Sequence, residues 1–152
     1  MDGIQLSTAR YRALVISCSD FRFVSAQRQA RLDLGLNNAY DLIARPGGVR
    51  QIVLPTSEAA RQTMDEEIAL LYDLHGFRRV LLMNHMNCGV YQDLAAEQDE
   101  EAVHREHLAA AREILRERFP KLDVETYLSL ISGDTVEVVT LAGPGKSAGA
   151  EA

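Results

Sequence analysis

Two cysteines occur in the 152 residues, Cys18 and Cys88, and each follows an apolar run. Residues 12–17 (RALVIS) lead into Cys18-Ser19-Asp20-Phe21-Arg22, and residues 80–84 (VLLMN) lead into His85-Met86-Asn87-Cys88-Gly89. Two thiolates and one imidazole are the donor set that Zn²⁺ favours, at about 2.0–2.3 Å, and three protein ligands leave a fourth position for water, as in catalytic zinc sites. Asp20 can fill that fourth position or hold the water there. Arg22 can clamp Asp20 through a two-point guanidinium–carboxylate contact and keep it off the metal. The blander reading makes the cysteines small packed residues and His85 a satisfied loop histidine. Convergence of two thiols, a histidine and an Asp–Arg pair on one sheet edge favours the metal.

That convergence requires the two runs to be neighbouring or near-neighbouring parallel strands. Residues 12–17 are β-branched and apolar and read as a buried strand. A polar, helix-compatible stretch, residues 24–34, ends at Gly35 and Asn37-Asn38. Residues 40–44 (YDLIA) form a second strand, stopped by Arg45-Pro46-Gly47-Gly48, where proline removes a donor and glycine permits positive φ. The next helix spans residues 58–75, with Thr56 or Ser57 as cap, Gly76 as terminator and Ala60, Met64, Ile68, Leu71 and Leu74 as apolar stripe. Residues 80–84 read as a central strand. Residues 100–118 form a helix with Val103, Leu108, Ala111 and Leu115 on one side, closed by Pro120. Residues 123–131 alternate into a strand, Gly133-Asp134 turns the chain, and residues 135–141 make the last strand. Gly, Ala and Ser then dominate, so the expected organisation is one zinc-binding α/β domain, 1–141, and a flexible tail, 142–152. Alternating strands and helices imply an α/β fold with a central, mainly parallel β-sheet flanked by helices, and ligands bind beyond the carboxyl ends of such strands.

Composition excludes several partners. The net charge of -6, from 16 basic and 22 acidic residues, provides no basic face for nucleic acid. No apolar run approaches the roughly 20 residues that cross a bilayer, so no membrane partner is expected. The start, MDGIQLSTAR, lacks the apolar segment of a secretory signal, which makes a reducing, cytoplasmic setting the expectation and a structural disulfide unlooked for. There is no C-x-x-C pair for thiol redox chemistry. Gly143-Pro144-Gly145-Lys146-Ser147 ends like a phosphate loop, but Thr140 stands where glycine is needed and no helix follows. His104 and His107 read as a solvated or half-buried helix face, His75 as a C-terminal-turn cation, and Glu97 to Glu101 as exposed loop or helix start.

The pattern C-x-D-x-R at Cys18, Asp20 and Arg22, with H-x-x-C-G at His85, Cys88 and Gly89, resembles the β-class carbonic anhydrases. Residues 41–48 (DLIARPGG) resemble that family's strand and R-N-x-x-N loop. Glu67 to Tyr72 with Leu74-His75-Gly76 resembles its helix leading into the zinc strand, so the likeness spans roughly residues 12–140. The resemblance implies zinc on Cys18, His85 and Cys88 and a homodimer or a multiple of one. It also implies CO₂ and bicarbonate as small-molecule substrates, interconverted by zinc-bound hydroxide, with Asp20, held by Arg22, accepting the hydroxide proton. Backbone amides of Gly47 and Gly48 are candidates for positioning a carbonate oxygen. The chain departs from the family at Pro46, where Asn is usual, at Gly48 and Val49, at Phe21, where a small residue is usual, and in having no helical arm before the first strand. Two alternatives stay open: hydrolysis of a CO₂ analogue, carbonyl sulfide or carbon disulfide, and a non-catalytic zinc-stabilised binding or regulatory module with Asp20 on the metal.

Overall fold

Long and β-branched apolar side chains alternate across the central strands, and each parity finds its own cover. In a computed structural model that describes residues 1–145, the strands are β1 (Ala13–Ser17), β2 (Tyr40–Ala44), β3 (Arg79–His85), β4 (Asp123–Ser132) and β5 (Thr135–Ala142). The helices are α1 (Val24–Asp33), α2 (Arg50–Val53), α3 (Glu58–His75), α4 (Gln92–Ala95) and α5 (Glu100–Arg118). Leu14 and Ile16 of β1 and Val80 and Leu82 of β3 cluster with Met64 and Ile68 of α3 and Leu108 and Leu115 of α5. Ala13, Val15, Leu81 and Met83 pack on the opposite face with Ala30 of α1. Helices therefore cover both faces, as a parallel sheet requires. Interior β4 lacks the alternation expected of it: Val124 to Ser129 are all buried, because both of its faces are covered.

The sheet order is β2-β1-β3-β4-β5, with only β5 antiparallel to its neighbour. The chain leaves β1 for β2 on one side and returns to β3 on the other. The topological switch point, where open α/β sheets leave a crevice, therefore falls between β1 and β3. The two strands run in register, Ser17 opposite Met83, so their carboxyl ends open side by side.

The third helix has the expected limits. Ser57 accepts the Ala60 amide at 3.0 Å and Gly76 ends the helix at φ 58°. Its stripe is narrower than the spacing predicts: Met64 and Ile68 are buried, whereas Leu74 is 63% exposed. Leu70 of this helix and Leu42 of edge strand β2 are exposed too, and both line a groove of about 390 Å³. Strand β5 runs through Ala142; the remainder of the expected tail, residues 146–152, lies outside the described residues, as do Lys146 and Ser147 of the phosphate-loop-like segment. Among the described residues no helix is long and apolar enough to cross a membrane.

The loop after β2 crosses the ends of β1 and β3 at close range. Gly47 and Gly48 hold φ of 83° and 53°, and a Cβ on Gly48 would lie 2.8 Å from Asn84 Oδ1 and 3.1 Å from the Cys18 amide nitrogen. Neither neighbour is the free end of a flexible chain, and the left-handed backbone adds its own strain for any residue with a Cβ. Gly48→Ala should therefore cost about 1–3 kcal/mol of stability, read from urea unfolding. Wild-type stability in that variant would contradict the close approach.

Candidate metal centre

His85 closes β3, Cys18 follows β1 by one residue, and Cys88 lies three residues past β3. Their ligand atoms all lie within 4.8 Å of one another, and the two sulfurs are 4.0 Å apart. His85 Nδ1 donates to the Met86 carbonyl at 2.8 Å, which leaves Nε2 as the nitrogen with the free lone pair. Phe23 stacks on the ring at 4.1 Å and fixes its plane. Nε2 is buried and has no hydrogen-bond partner among the described residues. An unsatisfied acceptor in the interior is costly. Two sulfurs beside such a lone pair make the donor set of a soft or borderline divalent cation, and zinc fits it.

The protonation of the sulfurs points the same way. Contact with Cys88 lowers the Cys18 thiol, aided by the amides of Gly47 and Asp20 and opposed by burial. Cys88 is pushed up by the same Cys18 contact and by burial. A cation held by both sulfurs would displace their protons.

Of the two placements open to Asp20 from the sequence, on the metal or on Arg22, the structure has the second. Arg22 Nη2 donates to Asp20 Oδ2 at 2.7 Å, Nε lies 3.1 and 3.2 Å from the two oxygens, and the Arg22 amide donates to Oδ1 at 2.9 Å. These contacts hold the Asp20 carboxyl down to about 2. Asp20 Oδ2 stops 3.8 Å from His85 Nε2 and is not part of the ligand cluster. The guanidinium also reaches Asn87, donating to its side-chain oxygen at 3.0 Å and its carbonyl at 2.9 Å. Asn87, at φ 56°, is a contributor that motif reasoning passed over, although Asn is the residue expected at such a left-handed position. Phe21, where the family usually has a small residue, is 84% exposed. The Gly48 amide is committed to the Arg45 carbonyl at 2.8 Å, and that of Gly47 faces the Cys18 sulfur.

Behind the cluster lies a polar layer whose histidines the sequence reading took for a solvated or half-buried helix face. His104 and His107 are buried, at 0% and 8% exposure. Asn84 Nδ2 donates to His104 Nδ1 at 3.0 Å and to the Tyr91 hydroxyl at 3.2 Å, and that hydroxyl meets His107 Nδ1 at 2.9 Å. Glu100, read as an exposed helix start, is mostly buried: Oε1 accepts the Cys88 amide at 3.2 Å and Oε2 accepts from Gln92 at 3.2 Å. The signal was present, because Glu100 precedes His104 by four residues and shares its helix face.

The family model described as "Putative carbonic anhydrase" matches residues 8–142. The chain belongs to this family. An uncharacterized protein of Rickettsia bellii is 33% identical over 126 residues, 79% of this chain and 77% of that protein. One of Rickettsia conorii is 30% identical over 126 residues, covering 79% and 68%. Among solved structures, a β-carbonic anhydrase of Trichomonas vaginalis superposes with a TM-score of 0.57 at 18% identity over 95% of this chain and 90% of that one. One of two tetrameric β-carbonic anhydrases of Sordaria macrospora gives 0.53 at 16% identity, over 89% and 82%. The fold is that of the β-carbonic anhydrases.

Burial lowers the titration of both helix histidines, His104 to about 4, while Glu100 and Glu106 oppose the shift only in part. At these two sites the unfolded chain then binds more protons than the folded one below the ordinary histidine value of about 6.5. Stability should be full above that value and fall as the pH drops towards about 4, measured as a declining urea midpoint. A midpoint flat across this range would contradict two neutral buried imidazoles.

Proposed function

We propose that Cys18, His85 and Cys88 bind zinc and that the chain catalyses reversible hydration of CO₂ to bicarbonate. The observation that carries this reading is the Asp20–Arg22 clamp, already formed beside a Cys₂His cluster whose imidazole Nε2 has no partner among the described residues. Bound zinc supplies Lewis acidity, which makes a water-derived nucleophile available near neutral pH. Asp20, ionised and able only to accept, would accept a hydrogen bond from that nucleophile and so turn its lone pair towards the carbon of CO₂. Arg22 holds both carboxylate oxygens, so Asp20 does not close on the metal. Gly47 and Gly48 serve the substrate side indirectly, by letting the loop pass against Cys18 with Gly47 facing its sulfur. Family membership and the β-carbonic anhydrase fold support the same assignment. Two free thiols serving as ligands suit a reducing, cytoplasmic compartment.

Elemental analysis should find one zinc per chain and near-total loss in Cys88→Ala. Stopped-flow CO₂ hydration should show turnover in wild type and a loss of about 10²-fold or more in Arg22→Ala with zinc retained, because a displaced catalytic group loses its alignment. Arg22→Lys should recover little, since an ammonium cannot make the planar two-point contact. Unchanged zinc content in Cys88→Ala would sink the ligand assignment. Wild-type turnover in Arg22→Ala would remove the clamp from the mechanism, and a zinc-loaded but inactive wild type would favour the non-catalytic module.

The exposed apolar groove between β2 and α3 supports a homodimer, or a multiple of one, formed across this edge. Strand β2 pairs with β1 on one side only, and Leu42 and Leu70 stand exposed beside it. Sedimentation should give a dimer or larger species, shifted towards monomer by Leu42→Glu with Leu70→Glu. A lone 16.8 kDa species at micromolar concentration would contradict it.

A further inference from the structure

The orientation of one buried amide sets the hydrogens of the polar layer behind the metal centre. The Val49 N–H points at Asn84 Oδ1 at 3.3 Å, which fixes that atom as the acceptor and Nδ2 as the donor. Nδ2 meets His104 Nδ1 at 3.0 Å, so Nδ1 of a neutral imidazole is the accepting nitrogen and the ring hydrogen sits on Nε2. His104 is 0% exposed, and its Nε2 faces Glu100 Oε1 at 3.4 Å, close enough for electrostatic attraction though not a closed hydrogen bond. The same Oε1 accepts the amide of Cys88 at 3.2 Å. Gln92 closes the ring, donating to Glu100 Oε2 at 3.2 Å and to the Cys88 carbonyl at 2.9 Å. A line of polar contacts therefore runs from the β2–α2 loop through Asn84 to the imidazole, which faces Glu100 across an open 3.4 Å contact, and from Glu100 and Gln92 to both backbone polar groups of Cys88.

We infer that Glu100 and His104 are positioning residues for the metal centre: Glu100 grips the backbone of Cys88, and His104, oriented by Asn84, holds Glu100 in place. They act through the peptide of Cys88. Without the carboxylate, the peptide at Cys88 loses its acceptor, and the loop is freer to swing its sulfur away. Release of bound zinc should therefore quicken. This inference rests on the reading of Cys18, His85 and Cys88 as zinc ligands and is independent of whether CO₂ is the substrate.

The test is the rate at which zinc-loaded protein gives up its metal to a chromogenic chelator, with thermal unfolding of the same samples alongside. Outer-shell partners of metal ligands typically contribute 10–100-fold to affinity, so Glu100→Ala should release zinc about tenfold faster or more. Glu100 lies in the first turn of α5 and makes no apolar core contact of the kind Leu108 makes, so this variant keeps the helix interior intact. His104→Gln retains an N–H near the Nε2 position and should release zinc slowly, like wild type. His104→Asn retains only the group near Nδ1 and should release it quickly. A purely structural role predicts the same release rate for the Gln and Asn variants, each following its own melting temperature, and that result would overturn the inference. Wild-type release from folded Glu100→Ala would overturn it as well. A wild-type chain that takes up no zinc would overturn both this inference and the ligand assignment, whereas zinc uptake without CO₂ hydration would leave this inference standing.

Discussion

Everything at the site depends on the parallel pairing of β1 with β3. Five consecutive pairs, from Ala13 with Arg79 to Ser17 with Met83, bring two segments some seventy positions apart in sequence to one level of the sheet. Both strands are buried on both faces, so their register is strongly specified. A slip of one residue would exchange Leu14 and Ile16 with Ala13 and Val15 between two differently shaped clusters. The order β2-β1-β3 makes this pair the switch point, where connecting segments diverge and leave backbone ends open. Cys18 and His85 are placed by that register, and Cys88 by the short turn that follows it.

The loops that carry this convergence are braced from two sides. On the outer side Arg22 spans Asp20 and Asn87, which ties the loop after β1 to the loop after β3. On the inner side Asn84, His104 and Glu100 tie the loop after β2 to the Cys88 peptide. The two braces differ in kind. The arginine is partly solvated and keeps its charge at every accessible pH, so it can compete steadily for a carboxylate. The imidazole is fully buried and neutral, and it orients by the position of its hydrogen instead of by charge.

What the sequence revealed, and what it withheld, follows from the range of each interaction. Element limits were legible where local chemistry sets them: Ser57 and Gly76 bound α3, and the run from Ala13 to Ser17 has no use except as a buried strand. The grouping of Cys18, His85 and Cys88 and the Asp20–Arg22 contact were legible because each motif is short and its chemistry narrow. The inner brace was not. His104 and His107 look like a surface face until α5 is laid against the ends of β3 and β4, and whether a polar residue is buried depends on that tertiary placement. Leu74 failed in the opposite direction: it continues the helical spacing, but the spacing cannot show where the covering sheet stops. Asn87 went unnoticed because its contribution depends on a left-handed backbone and a partner 65 residues away.

The departures from the β-carbonic anhydrase motifs can be sorted by the same geometry. Phe21 projects into solvent and leaves the ligand cluster untouched. Pro46 turns its carbonyl to Gln51 at 2.9 Å, so the loop it stiffens is held by a side chain of the short helix that follows. Gly47 and Gly48 admit what a side chain would exclude: a Cβ on the first would lie 2.8 Å from Val90 Cγ1, and one on the second would meet Asn84. Backbone lies directly against the strand ends here, and Asn84 projects from β3 to meet it, accepting the Val49 amide at 3.3 Å. Because Asn84 is also the residue that orients His104, the glycine loop and the inner brace are one adaptation: a close-packed backbone on one side of the amide and a fixed imidazole on the other.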